Sequence, residues 1–201
     1  MKKTFFVILI SFLILQCIPV YAGFLPYGRI FKAAKDDRSY LTQAHDTRLQ
    51  LNLHKKMLLN FPENIISISS YVFLGHGFLV GEVDNIIERT KLIECTKEIP
   101  GLNGLSYFLP VKNSTITSTS STLEIKIKGI LEPDYPSSKL TVKVVQNTIV
   151  LLGVLGLNEQ KKVCDSVLKI SGTSQLINFI QSPTENEAKR KRFHPLRNIF
   201  E

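Results

Sequence analysis

The chain has 201 residues, no tryptophan and a formal charge of +8. That length leaves room for one medium domain or two small ones. Apolar residues make up 44% of the chain, an ordinary share for a globular protein, and the surplus of positive charge suits an anionic partner.

The N-terminus reads as an export signal over residues 1–22. Lys2-Lys3 precedes an apolar run from Phe5 to Leu15, then Gln16 breaks the run and Val20-Tyr21-Ala22 closes it with a small residue at the cut. The run is too short for a comfortable membrane-spanning helix, which needs roughly 20 residues. Ile14-Leu15-Gln16-Cys17 has the apolar residues of a lipidation site, with Gln16 where a small residue is usual. Cys17 is therefore either a candidate acylated residue or a thiol discarded when the signal is cut after Ala22. The remaining cysteines, Cys95 and Cys164, are read as free thiols packed as small apolar groups, although an oxidising compartment permits a bridge.

Residues 23–45 form an arm, and a repeat follows. Phe78-Leu79-Val80-Gly81 recurs as Val150-Leu151-Leu152-Gly153. Glu88, Lys91 and Leu92 recur, one residue closer, as Glu159, Lys162 and Val163. Ile99 with Gly101 recurs as Ile170 with Gly172.

Each copy opens on a helix, marked by Leu49, Leu53 and Met57 in the first and by Leu123, Ile127 and Leu131 in the second, with Asp46 and Ser121 as N-caps. Two extended runs come next. They are Ile65 to Phe73 and Phe78 to Val83, turning at Gly75-His76-Gly77, then Leu140 to Val145 and Thr148 to Leu155, turning at Gln146-Asn147. A second helix follows, Ile87 to Ile99 and Glu159 to Ile170, with Gly101 and Gly172 just past it. The last strands are Leu105 to Val111 and Leu176 to Gln181. The expected fold is α/β of the α+β kind: two tandem α-β-β-α-β domains over 46–112 and 121–182, each a three-stranded sheet with one apolar face covered by two helices. A Ser/Thr-rich linker, 113–120, joins them. Residues 183–201 form a basic tail carrying Lys189-Arg190-Lys191-Arg192.

These residues resemble the BON pattern. In that pattern a turn leads into apolar-Leu-apolar-Gly-x-Val, then a helix beginning near a Glu, then Gly-Val and a strand. Gly75 to Val83, Glu88 and Pro100-Gly101-Leu102 match it in the first copy, and Asn147 to Leu155, Glu159 and Gly172 match it in the second. Thr173 stands where Val is usual; Asn178 keeps a common Asn that Tyr107 replaces in the first copy. Asp36-Asp37-Arg38-Ser39, Thr42-Gln43 and Asp46 resemble the segment before the first domain of outer-membrane, lipid-binding BON lipoproteins associated with division and envelope stress, in which a lipobox lies upstream much as Cys17 does here.

The resemblance to dual BON-domain proteins of the Gram-negative periplasm implies phospholipid binding and support of envelope integrity. In the lipid-binding members an aromatic residue near the start of the second domain's first helix faces the membrane. The matching position here is close to Thr122, which is not aromatic.

The same helix supplies the candidate lipid-binding residues Thr122, Ile125, Lys126, Lys128 and Gly129, an apolar side chain flanked by lysines. Each lysine near an anionic surface is worth ~1 kcal/mol. His45, His54, His76 and His194 pair with no Cys or carboxylate at metal-ligand spacing, so neither metal nor cofactor is expected, and His76 is read as an exposed turn residue. No nucleophile elbow or phosphate loop is present. Gly81 and Gly153 read as strand glycines at a close backbone approach, and Glu88 and Glu159 as helix-start carboxylates. The expectation is a non-enzymatic periplasmic protein, anchored to the outer membrane if Cys17 is acylated. It binds an anionic phospholipid surface and no nucleic acid. The other reading is a protein-interaction module of an envelope or secretion assembly.

Overall fold

The computed structural model describes residues 36–112, 117–170 and 175–183. The signal segment with Cys17, most of the arm, Gly172, Thr173 and the basic tail from residue 184 lie outside the described residues.

Two lobes share one plan and belong to one compact unit. Lobe 1 runs α1 (Tyr40–Asn60), a 3-10 turn at Pro62–Asn64, β1 (Ile68–Phe73), β2 (His76–Gly81), α2 (Ile86–Lys97) and β3 (Gly104–Phe108). Lobe 2 runs α3 (Thr117–Leu131), β4 (Leu140–Val145), β5 (Thr148–Val154), α4 (Leu157–Leu168) and β6 (Gln175–Gln181). In each lobe the first two strands form an antiparallel hairpin. The third strand lies parallel to the second after the helical crossover, so β2 and β5 are the central strands.

Both first helices start earlier than the spacing of leucines implies. Ser39 caps α1, its hydroxyl accepting from the Thr42 amide at 3.2 Å. Asp46 is consequently not an N-cap but a buried mid-helix carboxylate. α3 starts at Thr117, which places Ser121 inside the helix and makes the linker shorter. Glu88 does support the start of α2: Asn85 accepts from its amide at 2.9 Å, and its carboxylate accepts from Asp84 N at 2.9 Å.

The larger correction concerns the sheets. Each was expected to offer one apolar face, yet both faces are covered. Leu49, Leu53 and Met57 of α1 pack with Ile68, Val72, Leu79 and Leu92. Leu123, Ile127 and Leu131 of α3 pack with Leu140, Val142, Ile149, Leu151 and Val163. The alternate strand residues build a third core between the sheets, in which Phe73, Phe78 and Val80 meet Val145, Val150, Leu152 and Val154. The Phe78 and Phe179 rings lie 5.7 Å apart across this interface. The order of layers is helices, sheet, sheet, helices, with α1 and α3 on opposite outer sides.

The first hairpin turns at Leu74-Gly75 rather than around His76. His76 is the first residue of β2, half-buried, with Nε2 2.9 Å from Ser106 Oγ and its ring 4.9 Å from that of Phe78. Both hairpins place two successive residues at positive φ, Leu74 and Gly75 in one and Gln146 and Asn147 in the other. At Gly81 and Gly153 the backbone of the neighbouring strand comes too close for a side chain. A Cβ there would land on the carbonyl oxygen of Ser67 or of Lys139.

Candidate functional site

α3 turns Leu123, Ile127 and Leu131 inward and leaves Thr122, Ile125, Lys126 and Gly129 on the side away from the core. Ile125 is 71% exposed, and nothing lies within 4 Å of a Cβ built at Gly129. These four candidate residues are thus together on one open face.

Lys128, one turn past Ile125, is partly exposed and paired with an acid. Its Nζ lies 2.5 Å from Glu124 Oε1, and Glu124 Oε2 accepts from Val144 N at 3.1 Å. Lys143 Nζ is 3.6 Å from the same carboxylate. Glu124 ties α3 to β4, and Lys128 pairs with it one turn along the helix while its side chain stays 43% exposed. At the C-terminal end of α3, Tyr71 of lobe 1 lines a cleft of about 320 Å³ together with Leu131, Tyr135, Leu140 and Val142 of lobe 2. Burial pushes the Tyr71 hydroxyl above its ordinary pKa.

A second constellation was not expected from the sequence. The Arg38 guanidinium donates from Nε to Asp36 Oδ1 at 3.0 Å, from Nη2 to Asp36 Oδ2 at 2.6 Å and from Nη1 to Asp46 Oδ2 at 2.7 Å. Nη2 also donates to the Ser138 carbonyl of lobe 2 at 3.1 Å, and the group lies 4.8 Å over the Phe73 ring. Asp46 accepts in turn from Leu74 N at 2.9 Å and Gly75 N at 2.8 Å, which fixes the first hairpin. Lys139 Nζ sits 3.3 Å from Asp37 Oδ1 and 2.8 Å from Glu159 Oε1. Burial alone would lower the Arg38 pKa, but the bonds from Asp36 and Asp46 outweigh it and hold the guanidinium above its usual value. The segment 36–46 therefore clasps the two lobes. Only the run of acidic and basic residues at Asp36-Asp37-Arg38, ahead of a helix, hinted at it.

Cys95 on α2 and Cys164 on α4 are free thiols. Burial, aided by Asp165, pushes the Cys164 thiol up. His45 and His54 are exposed on α1. Among the described residues no group of three His, Cys, Asp or Glu side chains could hold a metal ion, and no helix is long and apolar enough to cross a membrane.

The two lobes define an α+β chain made of a repeated α-β-β-α-β unit. No protein-family model matches the chain. No curated protein matches it. Among solved structures it is similar to CdsD, a structural protein of the type III secretion system of Chlamydia trachomatis, at 11% identity and a TM-score of 0.31, covering 72% of this chain and 97% of that chain. A structure of the C-terminal domain of CdsD is similar at 14% identity and a TM-score of 0.29, covering 69% of this chain and 67% of that one. Likeness at that level carries no weight for what this chain does.

Proposed function

We propose that this chain is an exported, non-enzymatic protein of the Gram-negative envelope, built on two BON-type modules, that binds anionic phospholipid and supports outer-membrane integrity. The observation that supports it is the outward face of α3, where Ile125 stands exposed beside Lys126 and no side chain overhangs Gly129. An apolar side chain next to a cation suits the boundary of an anionic bilayer, where the aliphatic part enters the headgroups and the charge stays with phosphate. In this reading the protein faces the periplasm, held at the outer membrane where Cys17 is acylated, and needs no cofactor.

Sedimentation with anionic and with neutral vesicles, at low and moderate salt, tests the proposal. Binding to anionic vesicles only, weakened by salt and reduced in Ile125→Ser/Lys126→Ser, is the expected result. Thr122, in place of an aromatic anchor, favours a second reading, in which the module meets an envelope protein instead. No binding to either kind of vesicle would move the function there.

A further inference from the structure

α1 carries leucines on two faces. The inner set packs lobe 1, but Leu41, Leu51, Leu58 and Leu59 are exposed, Leu41 by 77% and Leu51 by 65%. Together with Ala44, Arg48 and Lys55 they recur in steps of three and four residues, so they share the side of the helix that points directly away from the core. One exposed leucine is unremarkable, whereas several on a single helix face mark a contact surface.

The face is also basic without opposition. The only acidic residue between Tyr40 and Asn60 is Asp46, which is 2% exposed and engaged by Arg38 and the hairpin amides. Of the basic residues on α1, only Lys56 has an ion-pair partner among the described residues, Glu98 at 3.5 Å. The α3 face has fewer exposed apolar side chains, and its helix runs into Glu132 and Asp134.

We infer that the outer face of α1 is a docking surface for an anionic phospholipid bilayer, distinct from the α3 face. Leu51, Leu58 and Leu59 enter the headgroup layer, while Arg48 and Lys55 lay their aliphatic stems beside them and carry their charges to phosphate. A second copy of this chain is a poorer occupant, because two such faces would set the Arg48 and Lys55 cations of one copy against those of the other. α1 covers one sheet and α3 the other, with a third core between the sheets, so the two faces are separate surfaces. A molecule whose two faces engage different vesicles bridges them. That bridging rests on the α3 reading above; the α1 contact does not.

The test uses the full chain with vesicles of phosphatidylcholine, alone or mixed with phosphatidylglycerol, reading cosedimentation and vesicle clustering by turbidity. Wild type is compared with Leu51→Ser/Leu58→Ser, with Arg48→Gln/Lys55→Gln and with Ile125→Ser/Lys126→Ser. All substituted positions are exposed, so melting temperatures stay at the wild-type value. Wild type is expected to favour and cluster the anionic vesicles. Each α1 variant should bind them about tenfold more weakly or worse and cluster none. Loss of binding in the α1 variants but not in the α3 variant supports the α1 surface and removes only the α3 assignment. Wild-type binding and clustering by both α1 variants overturns the inference. So does a dimer of the wild type that the α1 variants abolish while vesicle binding is unchanged, since a second copy then covers the face.

Discussion

Replacing Asp46 by alanine is the most demanding perturbation of the clasp. The Asp46 side chain is nearly fully buried and accepts from Arg38 Nη1 and from two hairpin amides, Leu74 N and Gly75 N. Removing it strands a buried amide donor, at a cost of ~1–3 kcal/mol. It also takes one carboxylate from a buried guanidinium, and breaking a buried pair costs ~3–5 kcal/mol. Arg38 keeps both bonds to Asp36 and its bond to the Ser138 carbonyl, so the ion-pair loss falls at or below the low end. These losses overlap in one network and do not add in full. We expect Asp46→Ala to destabilise the protein by about 3–4 kcal/mol, a large share of a typical total of ~5–15 kcal/mol. With a urea slope of ~2 kcal/mol/M, the midpoint falls by about 1.5–2 M. Asp46→Asn retains one acceptor oxygen and should lose roughly half as much. Equilibrium unfolding in urea, followed by circular dichroism, decides the matter. A midpoint within ~0.5 M of wild type for the alanine variant, at unchanged slope, would refute the role given to this carboxylate.

Gly153→Ala drives a Cβ into the Lys139 carbonyl and should cost about 3 kcal/mol in urea unfolding, and Gly81→Ala should behave alike at Ser67; a loss below ~1 kcal/mol in both would show that the strands can part without penalty. Burial holds the His76 imidazole below its usual value of 6.5, so the folded state favours the neutral ring. Stability from this residue is present above about pH 6.5 and is lost as pH falls through the lower folded value. The melting temperature should therefore drop more between about pH 7 and 5 in wild type than in His76→Gln, and parallel pH profiles would exclude the effect.

The repeated order of elements was legible because it rests on local signals. Leu49, Leu53 and Met57 keep helical spacing, and Gly81 and Gly153 punctuate matching strands. Local reasoning failed where a distant group decided the outcome. Asp46 looks like a cap because Asp precedes a periodic apolar run, yet Arg38 and the Leu74-Gly75 amides draw it inside a longer helix. Lys128 stands near Ile125 and Lys126, but Glu124, one turn back and bonded to Val144 N, pairs with its charge. The second buried face of the sheets was legible in hindsight. Phe78-Leu79-Val80 and Ile149 to Leu152 are unbroken apolar runs, which indicate strands covered on both sides. The outer leucines of α1 are not legible as a surface, because burial of one apolar stripe alone accounts for the helix.

The core between the sheets draws on matching positions of the repeat: Phe73 and Val145, Phe78 and Val150, Val80 and Leu152. A contact in which each copy offers the same patch is the kind that joins identical subunits. A chain carrying one copy of this unit would have to find a second molecule to cover its sheet, and its stability would rise and fall with its abundance. Joining the copies in tandem makes that encounter intramolecular, so the folded state no longer depends on how much of the protein is present.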